Sequence, residues 1–266
     1  MEKIIEFPDD KKLRKKLERL RESLEELLLE RDNLYYVVCE NIKTQYMLIF
    51  GSLEYKVFSA FCKYHRLRRK KALIQARINR KEKIDLSEIE AILDVEFADY
   101  KVKLDSKMGE INRAISRSHL ELLSKEDTIL LKKLYRKIVR ALHPDLNPDL
   151  SDRQKDLFYN ATESYKAGDL YSIKIIYDIV CSGDMDADNP LTGKSLLDEV
   201  KRLEELAQKI QSDIDLIKSQ SPYTWKIYLE DEDKKLEKLN TLENELKSYQ
   251  EAIKTQEEYI KELLRK

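Results

Sequence analysis

The sequence predicts an all-α, elongated protein in which long antiparallel helical hairpins flank a small helical domain. Three observations support this. The chain has only 5 Gly and 5 Pro in 266 residues, too few for the turns of a sheet protein. Charged residues make up 38% and apolar residues 42%, the latter mostly Leu, Ile and Tyr, which suits amphipathic helices. Apolar residues also recur at alternating steps of four and three over long stretches. With a net charge of −1, only local charge patterning is informative.

Residues 1–118 read as an N-terminal bundle of three long helices. Asp9 or Asp10, after Pro8, is placed to cap the first. Leu13, Leu17, Leu20, Leu24 and Leu27 form a heptad seam that Leu34 and Val38 continue, with Arg31 as its one interruption. Gly51 and Ser52 are the best break, and a second helix is expected from Leu53 to Lys81. Asp85 or Ser87 then caps a third, with Glu90 completing a capping box after Ser87. Its apolar residues Ile89, Leu93, Phe97, Tyr100, Leu104, Met108, Ile111 and Ile115 step by 4, 4 and 3, which suits a nearly straight helix.

The run Arg66 to Lys83, "RLRRKKALIQARINRKEK", invites a nucleic-acid reading. A fold-back about Gly51 offers a structural one. It sets Lys71 opposite Glu30, Arg77 near Glu25 and Arg80 near Glu22, so that flank charges fix the register. The same register places Cys39 opposite Cys62. This weighs against nucleic acid as a partner.

Segment 194–266 reads as a C-terminal antiparallel coiled-coil hairpin after a linker at 183–193. One seam is Leu196, Val200, Leu203, Ala207, Ile210, Ile214 and Ile217. The other is Leu239, Leu242, Leu246, Tyr249, Ile253, Ile260 and Leu263, and "KSQSPYTWK" between them is the turn. Tyr223 and Trp225 fall near this tip, as a docking point or as packing against the helix ends.

The N-terminus lacks a signal-peptide apolar core. The most apolar stretch, "LYYVVCENIKTQYMLIF", carries Glu40, Asn41 and Lys43, so no membrane span is expected. Cys39, Cys62 and Cys181 form no CxxC pair, which suits reduced thiols in a cytoplasmic protein. No Gly-rich phosphate loop occurs, and His65 and His119 lack partners at metal spacing, so neither enzyme, metal nor cofactor is expected.

Residues 119–182 are distinct. Ser124 with Asp127 opens a helix whose apolar face is Leu131, Leu134, Ile138, Ala141 and Leu142. Lys133, Arg136, Lys137 and Arg140 stand at i, i+3, i+4 and i+7 on another face, with Lys132 beside them. Pro144 ends this helix by forcing His143 out of the α region. Asp145, Asn147, Pro148 and Asp149 follow in a tight loop. Ser151 with Gln154 opens the next helix, whose inner face is Phe158, Ala161 and Tyr165. Gly168 closes it, and Asp169 caps a short apolar helix.

"LYRKIVRALHPDLNP" and "LFYNATESY" resemble helix II, the loop and helix III of the J domain of DnaJ-type co-chaperones. The likeness covers residues 124–180 and centres on His143-Pro144-Asp145, with Asn147 at a position that family usually fills with Asn. It implies docking on a DnaK-type ATPase chaperone through Lys132, Tyr135, Arg136, Lys137, His143, Pro144, Asp145 and Asn147, with the tripeptide needed to stimulate ATP hydrolysis. Lys133 and Arg140 belong to the same basic stripe. The family's first short helix is unmatched, and "EINRAISRSHLELL" at the end of the third long helix is expected to pack in its place. The hairpins would then be client or partner arms. The alternative is a coiled-coil scaffold with the J-like segment as a joint, which would bury the stripe and loop that a co-chaperone must expose.

Overall fold

The structure, a computed structural model, describes residues 8–119, 123–182 and 194–265. It is all-α, with no strand among the described residues. The helices are α1 (Pro8–Asn33), α2 (Cys39–Tyr46), α3 (Ser52–Arg80), α4 (Leu86–Glu96), α5 (Ala98–Ser118), α6 (Lys125–Leu142), α7 (Asp152–Ala167), α8 (Leu170–Ser182), α9 (Lys194–Ser219), α10 (Ile227–Glu230) and α11 (Glu232–Arg265). π-helical turns occupy Leu34–Val38 and Met47–Gly51, and a 3₁₀ turn Tyr223–Lys226. Among the described residues no helix is long and apolar enough to cross a membrane. The chain divides into two compact units, Met1–Glu40 with Glu121–Thr224 and Asn41–Leu120 with Trp225–Lys266.

In the first unit the α1 seam meets the α9 seam. Leu17, Leu24, Leu28 and Leu34 are buried with Leu196, Val200, Leu203, Ile210 and Ile214. The pair is parallel. Lys16 Nζ lies 2.7 Å from Glu204 and Lys218 Nζ 2.7 Å from Glu30, so moving along α1 moves equally and in the same sense along α9. The other side of the same core is the small α6–α7–α8 assembly, contributing Leu131, Leu134, Ile138, Leu142, Ala161, Tyr165 and Ile173.

In the second unit α3 pairs with α11, again in parallel. Lys238 meets Glu54 at 3.5 Å and Lys63 meets Glu257 at 2.8 Å, while Lys71 Nζ stands 5.0 Å above the Tyr259 ring. α4 and α5 return along α3, burying Ile89 and Leu93 with Ile74 and Ile260, and Ala114 with Phe50 and Val57. Asp85 caps α4 by accepting from the Ser87 and Glu88 amides.

These pairings correct several expectations. Neither long hairpin forms. Gly51 has helical dihedrals (φ −56°, ψ −43°), and the backbone stays helical on both sides of it. Its lack of a side chain serves close packing, because a Cβ there would stand 3.0 Å from Ile111 of α5. Likewise α9 pairs with α1 and α11 with α3, so 194–266 is not a hairpin. Trp225 stacks on Tyr46 with ring centroids 4.3 Å apart, and Tyr223 packs on the first unit's core, so both are packing residues.

The expected third helix is bent at Phe97 (φ −106°, ψ 11°), which separates α4 from α5. Asp9 and Asp10 are helical residues of α1. Cys39 and Cys62 are buried free thiols, with no fold-back at Gly51 to set them opposite each other. Within the expected stretch 110–123, Ala114 is buried in the second unit's core and Leu123 packs on the first unit's core. Residues 120–122 and the expected linker 183–193 lie outside the described residues.

The charge register is corrected as well. Arg66 pairs with Glu90 and Asp94, Arg69 with Glu96, Lys70 with Glu90 and Arg77 with Glu88, so the basic run takes its acids from α4. Hydrogen bonding from Lys70, ahead of Arg66, holds the Glu90 carboxyl below its ordinary 4.5. Zero-length carbodiimide cross-linking, read by mass spectrometry, should join Lys16 to Glu204, Lys218 to Glu30 and Lys63 to Glu257. Cross-links between 196–218 and 236–264 in their place would restore the hairpin.

Candidate functional site

The site is built on α6, the turn after it, and α7. Ser124 caps α6 by accepting from the Asp127 amide at 3.0 Å. At the far end His143 leaves the helix in an extended conformation, as a residue before proline must (φ −69°, ψ 125°). Asn147 then closes the turn. Its side-chain amide donates to the Arg140 and His143 carbonyls at 3.0 and 3.3 Å, satisfying acceptors that the broken helix leaves open. Ser151 and Gln154 form the expected capping box at the start of α7, and Gly168 ends it at φ 70°. α6 and α7 are joined by face-to-face stacking of Tyr135 on Tyr165, with centroids 4.1 Å apart and planes within 8°.

The ten residues of the candidate docking surface divide by burial. Lys133, Lys137, Arg140, Pro144 and Asp145 are exposed, while Lys132, Arg136 and Asn147 are half-buried. Tyr135 and His143 are buried and present no surface of their own.

His143 therefore anchors the turn instead of being displayed on it. Its ring packs edge-on against Phe158 at 5.0 Å, and its Nδ1 accepts the Asp145 backbone N–H at 3.1 Å. That bond assigns the neutral tautomer protonated at Nε2. Burial, which outweighs the attraction of Asp145, holds the imidazole pKa below 6.5. The Asp145 carboxylate stays 49% exposed, 4.0 Å from His143 Nδ1. Its carbonyl accepts from Arg202 of α9 at 2.8 Å, and Glu199 holds that guanidinium from the other side.

The basic face of α6 is met by the acidic face of α1. Arg136 lies 3.1 Å from Glu26 and 3.7 Å from Glu25, and Arg140 lies 3.2 Å from Glu25 and 3.9 Å from Glu18. As α6 advances its partners on α1 recede, so these helices are antiparallel. Glu25 is only 4% exposed, and desolvation raises its pKa above 4.5 despite both arginines.

Below this ion-pair layer lies a second polar group that sequence reading missed. Asp32, 3% exposed, accepts from the Tyr135 hydroxyl at 2.8 Å and from Arg31 at 2.9 and 3.1 Å. Burial, ahead of the Asp32 charge, pushes the Tyr135 phenol well above its ordinary 10. The only trace in the sequence was the polar step that Arg31 makes in the α1 seam.

Searches against family models, curated proteins and solved structures give no match to this chain.

Two outcomes follow for the site. Tyr135→Phe leaves the buried Asp32 short of a donor and should lower unfolding free energy by about 1–3 kcal/mol in denaturant titrations. For His143 the folded pKa is depressed, so the unfolded chain binds the proton more tightly. Its contribution is fully present above the unfolded value of 6.5 and is lost as pH falls through the lower folded value. NMR titration should place the imidazole midpoint below 6.5, and His143→Gln should remove this part of the pH dependence of melting.

Proposed function

We propose that this chain is a co-chaperone that docks on a DnaK-type ATPase chaperone and stimulates its ATP hydrolysis through the turn at His143-Pro144-Asp145. The observation that carries this reading is the division of labour within the tripeptide. His143 is packed under Phe158 and bonded to the Asp145 amide, while Pro144 and the Asp145 carboxylate are exposed directly after a helix whose stripe carries Lys132, Lys133, Arg136, Lys137 and Arg140. An anchored base with an outward carboxylate suits a turn that must present one charge in a fixed place. The parallel helix pairs take the position of the expected hairpin arms as client or partner surfaces. Buried free Cys39 and Cys62 suit a reducing compartment such as the cytoplasm.

A second reading has its own support. The stripe is ion-paired to α1 and the loop carbonyl is held by Arg202, as in a scaffold that uses the J-like pair as a joint. The basic run of α3 favours nucleic acid less, because α4 neutralises much of it.

A steady-state ATPase assay of a DnaK-type chaperone separates the two. The wild-type chain should raise turnover, and Asp145→Asn should remove most of that rise with helicity and melting unchanged. A partner cation left without its counter-charge in a desolvated contact loses about 2–5 kcal/mol of binding. Absence of stimulation, or equal stimulation by both proteins, leaves the scaffold reading.

A further inference from the structure

The basic face of α6 is not open, and what occupies it belongs to the same chain. A cleft of about 310 Å³ separates Glu22, Glu25 and Glu26 of α1 from Lys133, Arg136 and Arg140 of α6. Glu18, Glu22, Glu25 and Glu26 fall on one face of α1, and the antiparallel crossing brings them against the cations of α6. We propose that the α1 carboxylates are a resident competitor, which any acidic partner must displace from Arg136 and Arg140 in order to dock. That this partner is a DnaK-type chaperone rests on the function proposed above; the competition itself does not.

The burial pattern says how the displacement works. α1 cannot lift away as a lid, because Leu17, Leu24 and Leu28 are buried in the core between α6 and α9. Exchange is therefore confined to side chains. Glu25, almost dry between the two arginines, is a fixed member. Glu18 and Glu26 have side chains 70% and 68% exposed, and their guanidinium partners are 58% and 41% exposed. Those outer contacts exchange readily with water and with an incoming carboxylate. Tethering keeps the α1 carboxylates at high effective concentration, so they weaken every acidic ligand at this face without closing it.

The test uses fluorescein-labelled oligoglutamate as the probe, with affinity read by anisotropy at low salt. The triple variant Glu18→Gln, Glu22→Gln, Glu26→Gln should bind about three- to tenfold tighter than wild type. A control of equal charge change on α11, Glu243→Gln, Glu245→Gln, Glu251→Gln, should differ from wild type by less than about twofold, since none of these exposed residues lines the cleft. Adding Arg136→Gln and Arg140→Gln to the α1 triple variant should abolish its gain. Equal gains in both triple variants, or none in the first, overturns the proposal. The ATPase assay run in parallel keeps the two ideas apart. Tighter peptide binding without chaperone stimulation leaves the competition standing and removes the co-chaperone. Stimulation by wild type with peptide affinity unmoved in the α1 triple variant does the reverse.

Discussion

Asp32 is the point on which the first unit turns. A carboxylate withdrawn from water is costly unless its lone pairs are filled, and here Arg31 and the Tyr135 hydroxyl fill them. Because Tyr135 belongs to α6 and Asp32 to α1, satisfying the charge fixes one helix against the other. The same tyrosine stacks on Tyr165, so the constraint passes on to α7. Packing by leucines alone tolerates sliding by a turn. A buried hydrogen bond to a charge does not, and this places the acidic row of α1 against the basic row of α6.

α1 is therefore a two-sided helix, with α9 along one leucine stripe and α6 along another face. This explains why its apolar content exceeds a two-stranded seam, with Leu13, Leu20, Leu27 and Leu29 packed around the fully buried positions. The second unit follows the same scheme with different chemistry. There α3 has α11 on one side and α4–α5 on the other, and bidentate Arg69–Glu96 with the shared Glu90 replaces a buried carboxylate. Those pairs are partly exposed, so they select register more than they add stability.

Much of this was legible in the sequence, and the failures have a common cause. Heptad periodicity names the buried face of a helix but not the helix that covers it. Both C-terminal seams were placed correctly at Leu203, Ile210, Leu242 and Ile260, yet each found its partner on an N-terminal helix nearly 190 residues away. Local chemistry was read well where it is self-contained. The caps at Asp85, Ser124 and Ser151, the proline stop at His143 and the left-handed Gly168 all stand as the residues dictate. Gly51 misled because glycine suits a turn and a close helix crossing equally, and only Ile111 decides between them. The α3 cations take their acids from α4, while the α1 acids pair with Arg136, Arg140 and Lys218.

The tripeptide shows the same limit at the scale of one residue. His143, Pro144 and Asp145 are adjacent in sequence and look equivalent as surface polar groups around a proline. The backbone separates them: Pro144 forces His143 into an extended geometry that sends its ring under Phe158, and the next residue points to solvent. The histidine's role here is thus mechanical, as an acceptor that fixes the amide of the residue carrying the charge. Arg202 fixes the carbonyl of that same residue from α9, so the peptide groups on both sides of the Asp145 Cα are held while its carboxylate stays free. A clamped backbone with a half-exposed carboxylate is the geometry on which the proposed docking turn rests.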